Sequence, residues 1–289
     1  MMERVIMYQG ANRSERSAKV SVRSPRIEVI PDFAELWSYR YVAAILVWRD
    51  IKVRFSHSFL GILWYVIQPF LLMLVIAIGF RFVMPKEVNG LPYPVFVASG
   101  LILWQYFSNA LMSGASSFEK FQAIINKAYV PKLALPIAGI TASLADLLAA
   151  SFLLVPLMMY YKVFPSWRII FIPIVILGVV LLVGGLVLFL SVAWAKYKDV
   201  RYILPFATQV LFFASPIFVP QNLMPESAIA IFRLNPLAGY LDLLRWVLFA
   251  DVQPPEPGTI VLAISISVGL LAIGLIYFQR RQGDLIDVI

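Results

Sequence analysis

The chain has 289 residues, 61% hydrophobic and 14% charged, with no cysteine and a formal net charge of +8. Without cysteine there are no disulfides, thiolate nucleophiles or thiolate-ligated metals. The basic excess does not point to nucleic acid, because of where it sits: ten of the 24 Lys and Arg residues precede the first long apolar stretch and most of the rest flank the later ones.

In chain order, residues 1–30 are polar and mixed in charge and lack an apolar core, so they are expected to be a loosely ordered cytoplasmic N-terminus rather than a signal peptide. Residues 31–62 are expected to form an interfacial helix and a gate segment. Asp32 with Glu35 three positions on has the form of a capping box. Phe33, Leu36, Trp37, Tyr41, Ala44, Ile45 and Trp48 then share one helical face, flanked by Arg40 and Arg49. This pattern predicts a helix lying flat in the inner membrane interface, with a helix packed on a soluble partner as the alternative. Arg49, Asp50, Lys52 and Arg54 follow, a cluster that cannot sit bare in lipid, and Gly61 permits a bend. His57, the single histidine, reads as a hydrogen-bonded bystander.

Residues 63–278 hold six apolar stretches: Leu63–Met84, Pro94–Phe118, Leu133–Tyr161, Ile169–Ala195, Ile203–Val219 and Gly258–Phe278. About 20 apolar residues in a helix cross the hydrocarbon core. Backbone groups in lipid must be paired within the segment, which favours helices. With the N-terminus inside, 18 of the 24 Lys and Arg residues fall on the cytoplasmic side, and both termini are expected there, including a tail at 279–289. The expected fold is an all-α membrane protein of six transmembrane helices, with Val179 on span four facing lipid.

Between spans two and three, residues 119–132 predict a short cytoplasmic helix ended by Pro131. It would carry exposed Phe and Ile side chains, as a docking knob or a plain connection. Between spans five and six, prolines bracket two apolar runs, Ala228–Phe232 and Leu237–Ala250, which are too short to cross. They are expected to be two re-entrant half-helices, mobile at modest cost because proline leaves backbone groups unpaired, with a surface cap as the alternative.

The chain has no G-x-x-x-x-G-K-[ST], no H-E-x-x-H and no histidine pair, so no catalytic or metal-binding residue is assigned and ATP hydrolysis is not expected on this chain. Asp146 is the single acid deep in a span. It reads as bonded to Ser143, Thr141 or a neighbouring helix, with proton coupling as the alternative.

Several motifs occur in order: Arg49-Asp50-Ile51-Lys52-Val53-Arg54-Phe55, Leu60-Gly61-Ile62-Leu63-Trp64, Gln68-Pro69-Phe70, and Asn126 through Lys132. Tyr197-Lys198-Asp199-Val200-Arg201-Tyr202, Ser215 through Pro220 and Leu234-Asn235-Pro236-Leu237 follow. Together they resemble the polysaccharide-export permeases of the ATP-binding-cassette superfamily, over roughly residues 30–280. The resemblance implies a homodimer with two cytoplasmic ATPase subunits carrying ATP and Mg, no cofactor on this chain, and a sugar-chain channel between the permeases. The cargo would be a lipid-linked glycan. An exporter of a smaller lipid or drug, a membrane enzyme acting on lipid-linked sugars, and a proton-coupled carrier are the other readings.

Within that frame, aromatic and amide groups are candidates for a weakly binding passage. They are Trp64, Tyr65 and Gln68 on span one, Trp104, Phe107 and Asn109 on span two, and Phe206, Gln209 and Phe213 on span five. Leu74, Ala77 and Ile78 would continue the wall. Arg49, Lys52 and Arg54 are candidates for binding a substrate pyrophosphate, with anionic lipid or the ATPase as alternatives. Phe121, Ile124, Ile125, Lys127 and Tyr129 are candidates for ATPase coupling, and Asn235 and Pro236 for an outer gate.

Overall fold

The structure, a computed structural model, describes residues 37–56, 59–127, 129–220, 223, 232 and 234–283. His57, Phe33, Leu36, the N-terminal segment and nearly all of Ala228–Phe232 lie outside the described residues.

Helix α1 (Arg40–Phe55) leads through a 3-10 turn at Gly61–Leu63 into α2 (Trp64–Gly79). Gly61 has φ +52°, a left-handed conformation that glycine adopts without Cβ strain, and it makes the bend expected there. A two-residue hairpin follows, β1 (Glu87–Val88) paired antiparallel with β2 (Leu91–Pro92). The all-α expectation missed it, although Asn89 and Gly90, both with positive φ, form the Asn-Gly turn that favours such hairpins.

Helix α3 (Tyr93–Ala115) is the central span and is buried along most of its length. Two short helices, α4 (Ser117–Lys120) and α5 (Gln122–Ile125), form the connection to the third stretch. The third stretch is broken into α6 (Ala134–Ser151) and α7 (Leu154–Tyr161). Pro156 explains the break, since its ring collides with the carbonyl four residues back, at Phe152. A 3-10 turn at Trp167–Phe171 precedes α8 (Ile172–Lys196), and α9 (Val200–Phe213), α10 (Pro236–Leu248) and α11 (Pro257–Arg281) complete the order.

Among the described residues, five helices are long and apolar enough to cross a membrane: Gly61–Gly79, Tyr93–Ala115, Ala134–Tyr161, Trp167–Lys196 and Pro257–Arg281. The predicted fifth span is the 14-residue α9. At 1.5 Å per residue, a helix of that length falls short of the roughly 30 Å hydrocarbon core. Pro216 cuts it short, because a proline disfavours helical backbone in the residue before it, here Ser215.

Close backbone packing holds the bundle. A Cβ at Gly274 would lie 2.5 Å from the carbonyl oxygen of Gly185, so α8 and α11 cross backbone to backbone. A Cβ at Gly139 would lie 2.7 Å from the Ser113 carbonyl oxygen, which fixes α6 against α3. The main core surrounds α3, and a smaller cluster of Leu46, Phe118, Phe121, Val130, Leu133 and Phe278 sits at the end of the bundle where α3 and α11 finish. Val179 belongs to the main core at 0% exposure, not to a lipid-facing surface. It lies on the side of α8 turned towards Val175 and Val183, which are also buried.

Candidate functional site

Helix α1 is amphipathic in the inverted sense. At 100° per residue, Trp37, Tyr41, Ile45 and Trp48 fall on one side and Asp50 and Arg54 on the other. The aromatic side is outward, with Trp37 71% and Trp48 68% exposed. The charged side faces protein: Asp50 is buried and Arg54 nearly so.

That inward face is a polar knot. Arg54 donates to Asp146 on α6 through Nη1, and through Nη2 to Asp50 Oδ2 at 2.9 Å and Ser113 Oγ at 2.7 Å. Lys120 Nζ donates to Asp50 Oδ1 and to Ser113 Oγ, both at 2.8 Å. Asn109 Nδ2 reaches Asp146 at 3.4 Å. Two cations thus face two carboxylates, the compensation a buried charge needs. Burial works against the Arg54 charge, but Asp146 and then Asp50 outweigh it and raise its pKa. Burial lowers the Lys120 pKa against the pull of Asp50.

Arg54 is therefore a partner of two acids rather than an open phosphate ligand, which corrects its sequence reading. Arg49 and Lys52 remain exposed. Asp146 bonds to neighbouring helices, as the structural reading of that residue had it, with Arg54 and Asn109 as partners.

The passage candidates separate into two groups. Trp64 and Gln68 on α2, with Phe206, Gln209 and Phe213 on α9, lie on exposed faces, and Ile78 extends that of α2. Leu74 and Ala77 pack partly against the core. Tyr65 is half-buried and turned towards Arg54 and Asp146. Trp104 and Phe107 are buried within the chain, with ring centroids 5.5 Å apart and Trp104 5.6 Å from Phe212, so within this chain they are not on an exposed face.

The connection between α3 and α6 differs from its predicted form in one respect. Phe121, expected as an exposed knob, is 1% exposed and anchors the loop in the smaller core, with Arg49 over its ring. Ile124 and Ile125 are half-buried, while Lys127 and Tyr129 are exposed. Lys132 donates to the carbonyl of Gln282, tying the loop to the end of α11.

At the end of the bundle opposite the 119–132 connection, Asn235 caps α10 by accepting from the amide of Leu237 at 3.0 Å, while its Nδ2 donates to the Ala214 carbonyl and to Ser215 Oγ. Buried Arg245 donates from Nη2 to the carbonyls of Phe96, Pro216 and Ile217 at 3.3, 3.1 and 3.1 Å, and sits 3.6 Å from the centroid of the Phe96 ring. It ties the chain just beyond α9, at Pro216 and Ile217, to α3. The second apolar run is thus a pinned helix, which corrects the expectation of easy movement for α10. Sequence reading missed Arg245, Asp50 and Lys120 as site-forming residues; the one available signal was charge beside or within apolar sequence.

The model of the ABC-2 type transporter family matches residues 41–249. The chain belongs to that family. Its relatives include the O-antigen export system permease protein RfbA of Myxococcus xanthus, 28% identical over 257 residues, covering 88% of this chain and 98% of the relative. RfbA of Klebsiella pneumoniae is 27% identical and covers 68% of this chain and 75% of the relative. The polysialic acid transport protein KpsM of Escherichia coli is 24% identical and covers 81% and 91%. The Arg54 cluster, the 119–132 connection and the contacts of Asn235 and Arg245 fall within the matched region, while α11 lies beyond it.

Proposed function

We propose that this chain is the permease subunit of an ATP-driven exporter that moves a lipid-linked polysaccharide of the O-antigen type across the bacterial inner membrane. The observation that carries the reading is the family match together with near full-length similarity to an O-antigen export permease. Two copies form a homodimer with two cytoplasmic ATP-binding-cassette subunits, which hold ATP and Mg, and both termini are cytoplasmic.

The geometry supports the division of labour. The exposed faces of α2 and α9 carry Trp64, Gln68, Phe206, Gln209 and Phe213, rings and amides that a sliding sugar chain can touch weakly at many points. Across a dimer interface such faces enclose a passage that one protomer alone does not. The aromatic side of α1 lies in the inner headgroup zone, where tryptophan and tyrosine are favoured. Arg49 and Lys52 at its polar margin meet the substrate's phosphates. Ile124, Ile125, Lys127 and Tyr129 dock on the ATPase, seated by Phe121. Asn235, Pro236 and α10 close the outer side at rest.

Removing the chain from its host tests the reading. Polysaccharide should still be made but accumulate inside the cell, and the surface polymer should disappear. Undiminished surface polymer contradicts the assignment. Loss of a small lipid from the outer leaflet with polymer intact favours export of a smaller amphiphile.

A further inference from the structure

Glu119 and Lys120 are neighbours in the chain, yet their side chains tie to opposite parts of the molecule. Lys120 Nζ reaches Asp50 Oδ1 on α1 at 2.8 Å, beside Arg54 and the start of the path to α2. Glu119 uses both oxygens the other way. Its Oε2 accepts from Trp194 Nε1 near the end of α8 at 2.9 Å, and its Oε1 pairs with Arg201 Nη1 at the start of α9 at 3.0 Å.

These two residues end α4, immediately before Phe121, and α5 begins at Gln122. The exposed part of the loop therefore connects to the bundle through a short rigid piece whose last two side chains grip two different elements. Those elements lead to the two exposed faces, α2 and α9, that carry the passage candidates.

We infer that Glu119 and Lys120 are positioning residues at a branch point, where a displacement of the 122–127 segment divides between α1, through Lys120, and the α8–α9 junction, through Glu119. This rests on the proposed function, in which the ATPase docks on that segment. The two limbs are unequal. The Lys120 limb ends on buried Asp50, where a charge pair is screened little. The Glu119–Arg201 pair is about half exposed on both sides, where ion pairs contribute little, and it relies on the tryptophan hydrogen bond as well. Coupling through Lys120 is the stronger of the two.

The chain's lack of cysteine allows a direct test in the assembled permease–ATPase complex in lipid nanodiscs. Trp64→Cys reports on α2 and Phe206→Cys on α9, each by its labelling rate with a polar maleimide, with and without ATP and Mg. Each reporter is combined with Lys120→Gln, Lys120→Arg or Glu119→Gln, and co-purification of the ATPase checks assembly. The expected result is a split. Lys120→Gln removes the ATP-dependent change at the Trp64 reporter by about fivefold or more, within the range of measured coupling effects, and leaves most of the change at the Phe206 reporter. Lys120→Arg restores it. Glu119→Gln weakens the Phe206 response and leaves the Trp64 response.

Equal loss at both reporters, as a general structural defect would give, overturns the branch point, and so do full responses at both in every variant. A parent complex in which ATP moves neither reporter contradicts the proposed function, and the branch point falls with it.

Discussion

The guanidinium of Arg54 is bonded to the carboxylate of Asp146, a residue 92 positions later in the chain, and the pair joins α1 to α6. In the sequence the two charges carry separate readings, Arg54 as a candidate phosphate ligand and Asp146 as a structurally bonded acid with proton coupling as the alternative. Each accounts for much of the other. A buried carboxylate held by an arginine has its charge compensated, which weakens the case for a proton-coupled carrier built on Asp146.

Breaking that pair should be costly and non-additive. Arg54→Gln leaves Asp50 and Asp146 with Lys120 as their remaining nearby cation, and Asp146→Asn leaves Arg54 short of an anion. Each should destabilise the permease by about 3–5 kcal/mol, the usual cost of removing one partner of a buried pair. The double variant should lose clearly less than the sum of the two. Unfolding by SDS titration in mixed micelles measures this, and strict additivity contradicts the pairing.

Arg245 should matter for stability and not through charge alone. Arg245→Met removes the donor that serves three carbonyls, and Arg245→Lys cannot reproduce its planar fork. Both should lower the unfolding midpoint, with methionine costing on the order of 3 kcal/mol, because buried carbonyls are left unpaired. Gly100→Ala should be destabilising at the same place, since its Cβ would lie 2.9 Å from Arg245 Nη2 and from the Ile217 oxygen. Full stability in Arg245→Lys contradicts the anchoring role.

The proposed interfacial position of α1 gives a depth prediction. A spin label at Ile45→Cys should be relaxed strongly by oxygen, which partitions into lipid, and weakly by a water-soluble nickel chelate. A label at Lys127→Cys in the exposed connection between α3 and α6 should show the opposite. Similar relaxation at the two positions contradicts an interfacial α1.

Much of this architecture was legible because membrane insertion leaves a coarse signal. Long apolar runs gave five of the six expected spans to within about five residues, and Gly61 marked a bend that is present. The sequence carries less information where side chains meet across helices. Periodicity placed the aromatic stripe of α1 correctly but could not say that Asp50 and Arg54 turn into protein. Composition cannot tell a core ring from a channel ring, so Trp104 and Phe107 were grouped with Phe206 and Phe213. Val179 was misread for the same reason, since every face of α8 is apolar. Proline marked the end of α9, but the arginine that donates to the Pro216 carbonyl sits 29 residues from it and has no local signature.

The passage itself is open to labelling. Cysteines at Trp64 and Phe213 should react with aqueous thiol reagents faster than cysteines at exposed apolar positions of α8 such as Ile174, which replaces buried Val179 as the lipid-facing comparison. Equal inertness at all three, at rest and during ATP turnover, contradicts a water-filled path along α2 and α9.

The central claim is that this permease couples ATP turnover to a lipid-linked polysaccharide. The most direct measurement is the ATPase rate of the purified permease–ATPase complex in proteoliposomes, titrated with lipid-linked O-antigen, with the lipid carrier alone, and with small amphiphiles. The account predicts acceleration by the lipid-linked polymer well above that of the carrier, weakened in variants truncated at Ile125. Acceleration by small amphiphiles with none by the polymer would contradict it.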